Sequence, residues 1–191
     1  TSSGSVSLDE CIRPSLTAER LAAMPPAFLT LGAAGSDAVQ LSQYPELTQI
    51  AHVHTAGNSP AMCDAAAVLL VGSKMLASDQ GLIPKVRIVD SVTCCGEPLE
   101  VVSGCVAATK AILIRNKLSP SDIDVFEIHE AFAATIVKFQ RELEIDSARL
   151  NINGGCIALG HPMGATGAIM TGTAIDLSLI HISEPTRRTS I

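Results

Sequence analysis

Three observations predict an α/β layered fold with a mainly parallel central sheet and helices on both faces. From about residue 50 onward, short apolar runs alternate with helix-compatible stretches, the order in which βαβ units are written. Hydrophobic residues make up 47% of the chain and charged residues 17%, the balance of a packed globular protein. Aromatics contribute only 3% and Trp is absent. The core must then be built from Ala, Val, Ile and Leu, and small side chains suit close packing of helix on sheet.

Taken in order, residues 1–45 read as a covering segment. They hold Pro14, Pro25 and Pro26 and one helical start at 15–19, where a Ser or Thr cap precedes an acid. Pro25-Pro26 ends that helix. Residues 54–60 (HTAGNSP) form a turn-rich loop, and 64–71 is a continuous apolar run of the kind buried on both faces of a sheet. A helix is expected over 73–80, closed by Gly81. Residues 86–95 (VRIVDSVTCC) are β-branched and read as a second strand. A helix over 103–116 follows, then a capped turn at 119–122 with proline in its first position. Residues 125–128 give a third strand and 130–143 a third helix. A fourth strand at 150–153 and a fourth helix at 164–175 complete the alternation.

Composition narrows the partners. The net charge is −6 and no long basic run occurs, so neither nucleic acid nor an anionic membrane is an expected partner. No apolar run reaches the ~20 residues of a bilayer span. The six cysteines (Cys11, Cys63, Cys94, Cys95, Cys105, Cys156) show no metal-finger spacing and read as small apolar residues of a reducing compartment. No metal site is expected. Residues 1–5 are small and polar rather than a signal peptide. A soluble, cytoplasmic protein is the expectation.

The chemistry concentrates in residues 151–167, NINGGCIALGHPMGATG, where five glycines, one proline and one histidine fall together. Glycine permits positive φ and close backbone approach to a ligand. Pro162 biases His161 toward an extended backbone, so its imidazole is presented in one orientation. In parallel sheets, ligands sit beyond the carboxyl ends of strands, which draws His129 to Phe132 and the 151–167 loop to the same place.

NINGGCIALGHPMGATG resembles the glycine-rich signature of thiolases, the acetyl-CoA acetyltransferases and 3-ketoacyl-CoA thiolases. HEAFA at 129–133 resembles the same family's second catalytic block. HTAGNSPAMCDAAAVLL at 54–70 resembles the segment that opens its C-terminal domain. Three blocks in the family's order cover most of residues 10–176.

The resemblance implies a thiolase-like layered fold with an incomplete C-terminal half. It divides the chain into 1–50 (end of the loop and N-terminal region), 51–176 (C-terminal domain, incomplete) and 177–191. His161 would be the general base that takes the proton of a nucleophilic cysteine, its ring also helping to form an oxyanion hole. His129 matches a position carrying Asn or His, which holds a water for the enolate of acetyl-CoA. Glu130, Gly155 and Gly160 would support that loop; for Glu130, capping of its own helix is an equal reading. Ser59, Ala131 and Phe132 would line the CoA and substrate path, with plain core as the other reading of Phe132. Pro60 stands where many relatives have Ser, and Cys63-Asp64-Ala65 where Asn-Asp-Gly is common. Cys156 replaces a common Ala and reads as a small buried thiol. The family's nucleophilic cysteine matches a position upstream of Thr1, and its second catalytic cysteine one beyond 176.

An acyltransferase of Claisen type is thereby implied, with coenzyme A thioester as substrate rather than cofactor and a homo-oligomer, dimer or tetramer, for the full-length enzyme. This chain alone would be inactive. A β-ketoacyl synthase relative and a non-catalytic CoA-binding protein are the alternatives. A dinucleotide-binding module would need G-x-G-x-x-G after a first strand, which is missing. Residues 177–191, which include LSLIHISEPTR, resemble the translation of a sequencing adapter and are expected to be a non-native tail.

Overall fold

The computed structural model describes residues 7–181. Helix α1 (Ala18–Ala22) starts where expected, with the Thr17 side chain accepting from Arg20 N at 3.3 Å. The covering segment then holds two helices that its sequence did not announce. Helix α2 (Leu29–Leu31) runs through a wide turn at Gly32–Ser36 into α3 (Asp37–Gln43), kinked at Gly35 with φ 125°. Helix α4 (Lys74–Asp79) is capped by Ser73, whose hydroxyl accepts from Leu76 N at 3.1 Å, and is followed by Gly81 at φ 64°.

Helix α5 (Gly104–Asn116) ends at Lys117 in a left-handed conformation. The turn at Pro120–Asp122 is closed by a capping box in which the Asp122 carboxylate accepts from Ser119 N at 2.7 Å. Helix α6 (Ala133–Leu143) begins three residues later than expected, because Phe132 is extended at φ −153°, ψ 159°. A short helix α7 (Cys156–Leu159) lies inside the glycine-rich loop, and α8 (Thr166–His181) follows it. Helix α8 passes the expected stop at 175 and buries Leu177 and Ser178, at 2% and 7% exposure. The domain boundary expected at 176 thus falls within a continuous helix, and residues 182–191 of the expected tail lie outside the described residues. Across Met163–Ile180 the mean hydropathy is 1.3 over 18 residues, enough on composition alone for a bilayer span. The pattern of apolar runs alone predicts no such span.

The expected strands are drawn differently. Among the described residues no multi-residue strand forms; parallel bridges join Phe126 to Leu150 and Met62 to His161. The run 64–71, expected to be buried on both faces, leaves Val68 92% and Leu70 83% exposed. An extended segment becomes a strand only when a neighbour satisfies its backbone groups. At 150–153 the pairing stops after Leu150, since Asn151 turns at φ 46°.

The core sits between α5, α6 and the bridged segments. Phe126, Phe139, Leu143, Ile145, Leu150 and Val106 form one buried cluster. Phe139 is completely buried and meets Phe126 edge-to-face at 5.8 Å, a preferred aromatic geometry. Outside this cluster, Lys138 pairs with Glu142 at 2.6 Å and Glu100 at 2.9 Å, and Lys110 with Glu142 at 2.7 Å. These half-exposed pairs tie α5 to α6 but add little stability individually. What the core positions is the pair of segments that leave its bridged end, 127–132 and 151–161.

Candidate functional site

Beyond the Phe126–Leu150 bridge, pairing is carried on by a side chain. Asn151 Oδ1 accepts from Ile128 N at 2.8 Å, and its Nδ2 donates to Ile128 O at 2.9 Å. The same Nδ2 donates to Glu130 Oε1 at 3.0 Å, while Glu130 Oε2 accepts from Ile157 N at 2.9 Å. Glu130 therefore does act as a cap, but of α7 rather than of α6: its own helix starts only at Ala133. A carboxylate on the first N–H groups of a helix is favoured by charge and by hydrogen bonding. Gly155 lies directly under it, and a Cβ there would collide with the Glu130 carboxyl group.

This clamp brings the two histidines together. The rings of His129 and His161 lie 4.4 Å apart, tilted by 44°. His161 Nδ1 is 2.7 Å from Thr166 Oγ1 at the start of α8, and its backbone N–H donates to Ala61 O at 2.7 Å. The loop histidine is thus fixed from both sides. Gly160 turns at φ 92°, and a Cβ there would press on the thiols of Cys63 and Cys11, 2.5 and 3.0 Å away. Burial pushes the His129 imidazole below its ordinary pKa, and the neighbouring His161 adds to that.

A cavity of about 630 Å³ opens beside the pair, lined among others by His129, Glu130, Gly155, Cys156, Gly160 and Pro162. Glu127 also faces it. Burial, with a smaller contribution from Glu130, pushes its carboxyl up to about 7, and its Oε1 is buried without a partner. Cys156 is buried, as the sequence suggested, and its Sγ lies 3.4 Å from His129 Nδ1. Cys94 and Cys95 are exposed.

The other residues singled out in the sequence sit elsewhere. Phe132 forms an aromatic group with His54 at 4.7 Å and Phe28 at 5.8 Å. Ser59 follows Asn58, whose carbonyl accepts from Ala133 N at 3.0 Å; the Ser59 hydroxyl is buried without a partner. Ala131 lies between this group and the clamp, half-buried. Asn151 and Thr166 lie within the glycine-rich stretch, where the sequence pattern assigns them no role. Their signals are an Asn at the head of an Asn- and Gly-rich turn (NINGG) and a Thr at a helix start. Among the described residues no cluster of metal-ligating side chains forms.

Chemically, the arrangement offers two imidazoles in contact, one held by a hydroxyl and one by a thiol, at the edge of a cavity. Such groups can take up or deliver a proton and can hold a polar ligand. Comparison with known proteins agrees on one family. The model of the family described as "Thiolase, C-terminal domain" matches residues 82–180. The 3-ketoacyl-CoA thiolase of Colwellia psychrerythraea is 38% identical over 171 residues, covering 88% of this chain and 39% of the relative. Among solved structures, Bacillus anthracis acetyl-CoA acetyltransferase superposes with a TM-score of 0.74 at 33% identity, over 91% of this chain and 39% of that one. Human mitochondrial 3-ketoacyl-CoA thiolase in complex with CoA gives 0.72 at 27% identity, over 92% and 40%. The chain spans about two fifths of the length of the proteins it matches.

Proposed function

The chain belongs to the thiolase family, and from that premise we propose that it supplies one wall of an acyl-CoA acyltransferase active site. The complete enzyme carries out Claisen condensation of acetyl-CoA or, in reverse, thiolysis of a 3-ketoacyl-CoA. The observation that carries this reading is the His129–His161 contact at 4.4 Å, which joins two blocks widely separated in sequence at one cavity. His161 is the base: it takes the proton of a cysteine thiol, the thiolate attacks the acyl-CoA carbonyl, and the departing CoA thiolate is protonated in turn. A base then removes the α-proton of acetyl-CoA, and the enolate attacks the acyl-cysteine carbonyl. His129 holds the water that stabilises the enolate oxygen. Glu130, Gly155 and Gly160 keep the loop in place, and Ser59, Ala131 and Phe132 contribute to the CoA path. The nucleophilic cysteine comes from sequence not included in these 191 residues.

Coenzyme A thioester is the substrate and no separate cofactor takes part. Its binding is supported by the matched human enzyme, whose structure holds CoA. The full-length protein is read as a cytoplasmic homo-oligomer, a dimer or tetramer, without nucleic-acid or membrane partners. Helix α8 is read as a domain helix rather than a membrane span, since the family match extends through residue 180. The division into 1–50 and a C-terminal domain from 51 is retained in this proposal. The family match through residue 180 and the burial of Leu177 carry that domain past the expected end at 176, so only residues beyond 180 are read as foreign. The mainly parallel sheet with helices on both faces is retained as well, supported by two parallel bridges and by exposed apolar runs that a neighbouring strand would cover.

The test is acetoacetyl-CoA thiolysis by the full-length protein of the source gene. His161→Ala is expected to lower kcat by about 10²–10⁴-fold, and the 191-residue chain alone to show no turnover. Full-length protein without thiolysis, or unaffected by the substitution, overturns the reading.

A further inference from the structure

Cys156 occupies a position where the family resemblance leads one to expect alanine, so whatever its sulfur does belongs to this chain in particular. The thiol is buried between two polar groups. Its Sγ is 3.3 Å from the Glu130 carbonyl oxygen and 3.4 Å from His129 Nδ1, both within the reach of sulfur hydrogen bonds. The carbonyl can only accept, and a thiol has one hydrogen to give. The S–H is therefore committed to Glu130 O, and the side of the sulfur that faces His129 can only accept. For that contact to be attractive, Nδ1 must carry the ring's hydrogen.

We infer that Cys156 is a positioning residue that holds neutral His129 as its Nδ1–H tautomer and leaves Nε2 bare. Which ring nitrogen of a neutral histidine carries its proton is set by the partner of the other. Two conditions of the relay are met in the structure. Burial raises the Cys156 thiol above its ordinary pKa, so it stays a thiol and keeps the hydrogen it donates. Burial, followed by the His161 charge, lowers the His129 imidazole, so the ring is neutral and has a tautomer to choose.

The consequence is a defined polarity at the cavity. A bare Nε2 accepts one hydrogen of a water molecule, which directs the water's second hydrogen outward as a donor. An Nε2–H would instead donate to the water's oxygen and leave its orientation undefined. The significance for catalysis rests on the acyltransferase reading above, in which that second hydrogen meets the developing enolate oxygen. The relay itself does not depend on it.

The test uses the 191-residue chain, ¹⁵N-labelled, and long-range ¹H–¹⁵N correlation of histidine rings at a mildly alkaline pH where His129 is neutral. His129 is assigned by loss of its signals in His129→Gln. In the wild type, Nδ1 is expected to show a protonated-type resonance and Nε2 an unprotonated one. Cys156→Ala removes the acceptor, and the ring is expected to turn over to a majority Nε2–H form. Cys156→Ser is expected to restore Nδ1–H, because a hydroxyl can donate to Glu130 O and accept from the ring in the same way. A wild-type His129 in the Nε2–H form overturns the inference. So does a Cys156→Ala spectrum identical to wild type. Should the alanine variant fail to fold, the wild-type and serine spectra still decide the matter. Failure of thiolysis in the full-length protein would leave this tautomer where it is, so the two readings fail separately.

Discussion

The side-chain amide of Asn151 stands in for a strand residue opposite Ile128. Its oxygen accepts from the Ile128 N–H at 2.8 Å and its nitrogen donates to the Ile128 carbonyl at 2.9 Å. The backbone of Asn151 cannot do this itself, because at φ 46° it has already turned away. Asn is among the few residues that tolerate such a φ at low cost. One residue thus ends a bridge and extends its pairing.

Asn151→Ala should therefore cost more than an ordinary side-chain hydrogen bond. It leaves both Ile128 backbone groups and one Glu130 oxygen without their partner, and it puts alanine, which tolerates a left-handed backbone less well than asparagine, at φ 46°. A loss of about 2–4 kcal/mol is expected, read as a lower urea midpoint at unchanged m-value. Asn151→Asp keeps the acceptor but loses the donor, and places a second carboxylate against Glu130. It should destabilise at least as much at neutral pH, and recover part of the loss in acid.

Gly155→Ala tests the clamp from the other side. The added Cβ would meet the Glu130 carboxyl group, an overpacking expected to cost about 1–3 kcal/mol. Combined with Glu130→Ala, the clash has no partner. The double variant should then be less destabilised than the sum of the two single ones by at least about 0.5 kcal/mol. Additive losses in denaturant titrations would mean that residue 155 and the carboxylate do not touch.

Glu127 supplies a pH dependence of predictable sign. Unfolded, its carboxyl ionises near 4.5; folded, burial and Glu130 hold the proton to about 7. Between these values the folded state binds the extra proton, so this group's contribution to stability is complete below about 4.5 and is lost as pH rises to about 7. Since the side chain is only half-buried, solvent screening reduces the effect to on the order of 1–2 kcal/mol. Glu127→Gln should remove that slope from a plot of unfolding free energy against pH. An identical slope in the variant would show that the carboxyl titrates normally.

Locally signalled elements were legible in the sequence. Ser73 and Gly81 bracket α4, and the Ser119–Pro120–Asp122 box closes its turn, because caps and positive-φ glycines act over three or four residues. The glycine-rich stretch and the HEAFA block were legible as neighbours in space, and the structure brings His129 and His161 into contact. The target of the Glu130 carboxylate was not legible. An acid just ahead of a helical pattern looks like that helix's own cap, and only tertiary structure shows it reaching Ile157 instead. Strands were the least legible in outcome. Val68 and Leu70 read as core, yet a strand depends on neighbours that no local pattern contains, and here they face outward. Helix α8 went the other way: the pattern gave a helix over 164–175, while burial of Leu177 carries the helix on.

The contact between His129 and His161 also limits how much charge this corner can hold. Burial first, and then the His161 ring, make a proton harder to add to His129. As pH falls, His129 therefore takes up its proton later than an ordinary imidazole does. A ligand arriving near neutrality meets a hydrogen-bonding group at His129, not a cation.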